Sequence, residues 1–175
     1  IPASTKRWQR AYMLYPDSRL QKIKVRHRGD NPINWMYEKK SWRIKTARKR
    51  TLGGVRTFNY VVLQKEDFLG DYLAYWLGRK ANVLTPRVRL VELFINEESY
   101  GLYLEAEHLD ESFLRNSGRM PGNIYKGEQY NSERIFGSES DLFNNPALWT
   151  KTAVFNQFPK SDQRDLEHLF TLVRQ

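Results

Sequence analysis

Apolar and charged residues alternate from Lys22 to His27, with Ile23 and Val25 on one side of the chain and Lys24 and Arg26 on the other. A period of two is that of a half-buried strand. The alternation returns from Ser41 to Thr46, where Trp42 and Ile44 oppose Arg43 and Lys45, and Phe58 to Leu63 reads as a third strand. Arg28-Gly29-Asp30-Asn31-Pro32 carries turn chemistry between the first two, and Leu52-Gly53-Gly54 reads as a flexible turn between the second and third. From Glu66 to Lys80 the period changes to that of a helix, with Phe68, Leu69, Tyr72, Leu73, Trp76 and Leu77 forming a broad apolar face. Pro86 then opens a hairpin: Val88 to Ile95, a turn at Asn96-Glu97-Glu98-Ser99, and Tyr100 to Glu107.

The ends of the chain are less regular. Residues 1 to 20 read as irregular, with a turn at Tyr15-Pro16-Asp17-Ser18. Asp110 to Leu114 reads as a short helix, and residues 116 to 146, rich in Gly, Asn and Ser, as long connections. From Asp162 a further helix carries Leu166, Leu169, Phe170 and Val173 at helical spacing. This order predicts an α+β fold, an antiparallel sheet with one helix packed on it. No linker divides the chain, and 175 residues are enough for one sizeable core.

Charge changes the picture most. The net charge is +9, and twelve Lys or Arg lie between Lys22 and Arg56 against only Asp30 and Glu38. The remainder of the chain is therefore close to neutral. A concentrated excess of this kind creates a local field that recruits anions. The plainer alternative is a solvated basic face without a ligand. The chain has no Cys, which excludes disulfides, thiolate chemistry and Cys-based zinc sites. No apolar run approaches the ~20 residues of a membrane span.

Several blocks occur in a telling order: Arg26-His27-Arg28-Gly29-Asp30, Glu38-Lys39-Lys40-Ser41-Trp42-Arg43-Ile44-Lys45, then Asp67 with Tyr72-Leu73-Ala74-Tyr75-Trp76-Leu77. Phe94-Ile95-Asn96 with Tyr100-Gly101-Leu102-Tyr103, Glu107-His108-Leu109-Asp110 and Gly122-Asn123-Ile124-Tyr125-Lys126 follow. In these blocks the chain resembles the CotH kinase family, the spore coat protein H-like atypical protein kinases. It departs from the family after Arg28-Gly29, where Asp30-Asn31-Pro32 replaces the usual Asn and small hydroxyl residues.

The resemblance implies a kinase-like fold that transfers phosphate from ATP to protein hydroxyls, with Mg²⁺ or Mn²⁺ expected in the complete protein. Residues 1–109 would hold a small-lobe-like, nucleotide-cradling region, and 110–175 the start of a helical large lobe, in one folding unit. Arg28-Gly29 would lie over the phosphates, and Lys45 would be the strand lysine that reaches them. Asp67 would partner Lys45, and Glu107 would mark the hinge beside the adenine. The residue chemistry agrees: a Gly turn lets backbone N–H groups approach an anion, and Arg and Lys supply phosphate contacts. The family's metal-binding acids belong to an Asp-rich motif towards the C-terminus, and Asp141-Leu142-Phe143-Asn144-Asn145 is a poor counterpart better read as a surface loop. The expectation is that this chain stops before the catalytic segment. Family members are often exported, which implies an extracytoplasmic or surface setting.

Other constellations are weaker. His27, His108 and His168 lack metal-ligand spacing and read as surface or packing residues. There is no phosphate loop of the Gly-Lys-Ser/Thr type. Trp35, Trp42, Tyr37 and Phe58 interleave with the basic residues, as in single-strand nucleic-acid binders, or serve as sheet core. Glu105 and Glu107 share one strand face and read as a solvated edge facing the basic patch. A basic module for nucleic acid or acidic polysaccharide, or a catalytically dead coat scaffold, remain the alternatives. Arg48-Lys49-Arg50 lies off the phosphate cradle.

Overall fold

The computed structural model describes residues 7–15, 20–29, 38–63, 69–127, 145–153, 159 and 161–173. The chain divides into two compact units, Ile1–His108 and Leu109–Gln175.

The first unit is built on a six-stranded antiparallel sheet, ordered β1-β2-β3-β4-β6-β5. Its strands are β1 (Gln9–Met13), β2 (Gln21–His27), β3 (Trp42–Thr46), β4 (Thr57–Val62), β5 (Val88–Ile95) and β6 (Glu98–Glu107). The alternation of β2 to β4 sorts the side chains as expected. Ile23, Ile44, Phe58, Tyr60 and Tyr103 meet in a buried cluster on one face, joined by Val55 and flanked by Val25, Trp42 and Val62. The lysines and arginines of β2 and β3 occupy the other face.

β1 departs from the irregular start expected of residues 1 to 20. It pairs antiparallel with β2, and its Ala11 and Met13 pack against the core cluster. Two apolar residues are too weak a periodic signal alone, and the partner strand supplies the rest. Leu52-Gly53-Gly54-Val55 is also tighter than expected. Leu52 and Val55 exchange both backbone hydrogen bonds at 2.9 Å, and Gly53 and Gly54 take φ of +55° and +81°. That is a two-residue hairpin turn, which needs positive φ at both central positions. The β5–β6 connection is likewise confined to Asn96 and Glu97, both at positive φ.

α1 (Gly70–Lys80) is the helix expected from Glu66; residues 66–68 lie outside those described. Its half-buried side is Gly70, Tyr72, Tyr75 and Gly78, so that among the described residues of the broad apolar face only Tyr72 is half-buried. Leu73, Trp76 and Leu77 are 48%, 47% and 57% exposed. The approach is set at Gly78, where an added Cβ would stand 2.8 Å from the Thr85 methyl group, and where Val83 N–H bonds the Gly78 carbonyl at 2.8 Å.

Among its described residues the second unit holds α2 (Glu111–Asn116), β7 (Ile124–Gly127), a 3-10 turn at Pro146–Leu148, β8 (Trp149–Ala153) and α3 (Arg164–Val173). Asp110 caps α2 by accepting the Ser112 N–H at 2.8 Å. β7 and β8 pair antiparallel within and beside the stretch expected to be only connections. Of the apolar positions on α3, Leu166 and Phe170 are buried, whereas Leu169 and Val173 are exposed. Trp149 packs edge-on against Phe170 with ring centres 5.8 Å apart and lies over Gly127. Asp165 accepts hydrogen bonds from Tyr125 and, at 2.7 Å, from Asn123, which tie α3 to β7. No described helix is long and apolar enough to cross a membrane.

Candidate functional site

Sheet register determines which charges share the basic face. Lys24 stands across from Lys45, and Arg26 across from Arg43. Arg43 in turn faces Asn59, and Lys45 faces Thr57. Thr57 accepts the backbone N–H of His108 at 3.0 Å, so the row runs His108, Thr57, Lys45, Lys24 and, through β1, Arg10. The adjacent row runs Ala106, Asn59, Arg43 and Arg26. Arg28 extends the same side of β2 by one further step, its N–H donating to the Ser41 carbonyl at 2.8 Å.

Directly opposed residues have Cβ atoms ~5 Å apart, and like charges there repel. At a half-wet surface each such pair costs on the order of 1 kcal/mol. Two opposed pairs on neighbouring rows therefore concentrate positive charge on this face. Arg43 is oriented by its Nε, which donates to Asn59 Oδ1 at 2.8 Å, with Asn59 itself buried. Arg26 lies over the Trp8 ring at 4.8 Å. Burial first, then the charges of Arg43, Arg28, Arg26 and Lys45, push the His108 pKa down to about 4.

Arg28 and Lys45 accordingly share one face, and Gly29 follows Arg28 in the chain. Gly29 takes φ +126°, a conformation that glycine adopts without strain, so the chain can turn directly after Arg28. The Tyr75 phenol on α1 stands in the fields of both Asp71, one turn earlier, and Arg28. Burial first, then Asp71, raises its pKa, with Arg28 opposing. Asp67 lies outside the described residues, as do 141–144 of the Asp141–Asn145 segment; Asn145 itself caps the 3-10 turn through the Ala147 N–H at 3.1 Å.

Glu107 belongs to the opposite face of the sheet. Glu105 and Glu107 are only 5% and 4% exposed, which corrects the reading of a solvated edge. β6 lies between β4 and β5, so these carboxylates face the core and must be satisfied there. Glu105 accepts from Tyr60 at 2.8 Å, from Tyr15 at 3.2 Å and from Arg89 at 2.7 Å and 3.3 Å. Glu107 pairs with Arg87 at 3.2 Å, and Arg87 also binds the Gly53 carbonyl at 3.0 Å. The Glu107 N–H donates to the Arg87 carbonyl at 3.0 Å.

Lys39, from the same basic window, serves the fold. Its Nζ donates to the Leu102 carbonyl at 2.8 Å and lies 4.4 Å from the Tyr103 ring centre. His27 stacks on Trp42 with ring centres 4.4 Å apart, on the core face. Sequence reasoning did not include Arg26, Arg43, Asn59 or His108 in the candidate site. The alternation of β2 and β3 was the available signal for the two arginines; nothing local announced Asn59 or His108.

The positive charge gathered by the register suits an anion. Among the described residues no group of three or more His, Asp or Glu is arranged to hold a metal. A protein-family model described as CotH kinase protein matches residues 25–174. No curated protein matches the chain significantly.

Proposed function

Because the chain belongs to the CotH kinase protein family, we propose that its basic sheet face cradles the phosphates of ATP in a kinase-like phosphotransferase acting on protein hydroxyls. The observation that supports this reading is the sheet register, which sets Lys24 across from Lys45 and Arg26 across from Arg43 on the face away from the core. Phosphoryl transfer depends on positioning and charge stabilisation rather than on covalent help from the protein. In this reading Lys45 gives the phosphate chain a point charge, and Arg28 offers a planar pair of donors at its other end. The backbone at Gly29 approaches the oxygens closely, and Asp67 partners Lys45. Glu107 marks the end of β6, beyond which the chain would meet the adenine.

The resulting architecture is a small lobe of sheet and helix in the first unit, with part of a helical large lobe in the second. The family's chemistry implies Mg²⁺ or Mn²⁺ with the nucleotide. The cationic donor set does not suit such an ion, so no residue of this face is proposed as a metal ligand and no step is routed through one.

A second reading rests on Arg48, Lys49 and Arg50, all exposed on the turn after β3. They give the same unit a landing strip for nucleic acid, without catalysis. A thermal-shift titration with ATP and Mg²⁺ separates the two. The cradle requires saturable stabilisation by ATP that is lost in Lys45→Ala. Should Lys45→Ala bind ATP as well as the parent does, the phosphate assignment is wrong. A steeply salt-dependent affinity for single-stranded oligonucleotide with no competition by ATP would favour the second reading.

A further inference from the structure

Independently of the nucleotide reading, we propose that the Leu14/Leu20 end of the β1–β2 ribbon docks this chain on an anionic lipid surface. Position comes first. Tyr12 on β1 stands across from Lys22 on β2, and Arg10 across from Lys24. One step beyond the Met13–Gln21 pair, the same alternation sets Leu14 beside Leu20. These three pairs share the face away from the core, because Ala11, Met13, Ile23 and Val25 between them pack into the core cluster. Tyr15, next in the chain after Leu14, turns to the core side, where its hydroxyl donates to Glu105 at 3.2 Å.

Leu14, Leu20 and Tyr12 are 73%, 60% and 63% exposed, and Arg10, Lys22 and Lys24 are exposed as well. A single exposed leucine is ordinary. Here two lie side by side, and polarity rises along the ribbon from the leucines through Tyr12 and Lys22 to Arg10 and Lys24. Neither 7–15 nor 20–28 contains an acidic residue. Among the described residues no carboxylate pairs with these three cations. Lys22 instead lies over the Tyr12 ring, 6.0 Å from its centre. An acidic peptide or a nucleic-acid strand would engage the cations and leave the leucines in water. A bilayer interface has a place for every pair. Successive pairs are about 6.6 Å apart along the strands, within the ~5–10 Å to which interfacial segments enter a membrane surface. With Leu14 and Leu20 at the acyl boundary, Tyr12 and Lys22 lie among the headgroups, where tyrosine rings and snorkelling lysines are favoured. Arg10 and Lys24 then stand within the ~8–10 Å over which the charge of anionic lipid is felt.

The two kinds of residue contribute differently. Each cation close to an anionic surface raises partitioning about fivefold, a gain that salt screens. Immersing a leucine raises it about tenfold, on anionic and neutral lipid alike. Docking of this kind therefore requires both, and removing either leaves a distinct signature.

Co-sedimentation of the full chain with vesicles of phosphatidylserine mixed into phosphatidylcholine, and with phosphatidylcholine alone, tests this. The parent should bind the anionic vesicles, bind the neutral ones about a hundredfold more weakly, and be released by high salt. Lys22→Gln should lower partitioning about fivefold and Leu20→Ser about tenfold. No binding to the anionic vesicles overturns the proposal, as does binding that both variants retain in full. A loss in Lys22→Gln with none in Leu20→Ser marks a plain anion site and overturns it too. Where Leu20→Ser fails to fold, Leu20→Trp decides. The fluorescence it adds to that of the parent should be quenched by lipids brominated along their acyl chains, and an unquenched signal overturns the immersion of this end. Leu20 and Lys22 lie outside the ATP cradle, so the two readings fail separately.

Discussion

Lys45 on β3 stands directly across from Lys24 on β2, on the side of the sheet away from the core. Two like charges in that relationship work against the pairing of their own strands. Lys24→Glu should therefore stabilise the anion-free chain, by about 0.5–1 kcal/mol in urea denaturation at low salt. The same change should weaken ATP binding, since it brings a carboxylate next to Lys45. A gain of stability without loss of affinity would place the ligand away from this row.

Glu105 gives the opposite case, a buried charge that is fully engaged. Tyr60→Phe removes one donor to it and should cost about 1–2 kcal/mol in chemical denaturation. Glu105→Ala leaves Tyr60 and Arg89 without their acceptor and should cost more, about 2–4 kcal/mol, tempered because Arg89 is half exposed. Burial first, then Glu105, raises the Tyr60 pKa. The folded chain thus keeps a proton that the unfolded chain releases near pH 10, and stability should fall as pH rises beyond that value. Tyr60→Phe should flatten that alkaline loss; an unchanged alkaline limb would show that Tyr60 does not govern it.

In the absence of ligand, His108 predicts acid sensitivity. Its folded pKa is pushed down to about 4, below the unfolded value near 6.5. Between these limits the unfolded chain binds more protons, so stability falls as pH drops through the window. With allowance for partial exposure of the ring, the loss attributable to His108 is about 1–2 kcal/mol. Burial lowers the His27 pKa as well, which acts in the same direction. Urea midpoints at pH 7 and 4.5 should differ less in His108→Gln than in the parent.

Gly78 offers a packing test of α1. Alanine in mid-helix usually gains about 0.5–1 kcal/mol over glycine. Here the new methyl group would meet the Thr85 methyl at 2.8 Å, so Gly78→Ala should destabilise by about 1–2 kcal/mol instead. Adding Thr85→Ser, which removes that methyl, should recover most of the loss in thermal denaturation. Leu77→Gln, on the exposed side of the same helix, should change stability by no more than about 0.5 kcal/mol.

Much of the first unit was legible from local pattern. Alternation at Lys22–His27 and Ser41–Thr46 sorted the cations of β2 and β3 from the apolar residues that became core. Helical spacing located α1 and α3, and the Asn96 turn located the β5–β6 hairpin. The anion-seeking character of the 22–56 window followed from charge alone. Pairing partners were not legible, because a strand's own periodicity does not state which strand lies beside it or in what register. Only the tertiary structure placed Lys24 against Lys45, brought His108 from the far end of β6 into the same row, and put β6 between β4 and β5 so that Glu105 and Glu107 were buried. It also made strands of Gln9–Met13 and Trp149–Ala153, whose sequences are too short or too weakly alternating to announce them. The faces of the strands are thus written in the local sequence, while the site depends on hydrogen bonds between segments distant along the chain.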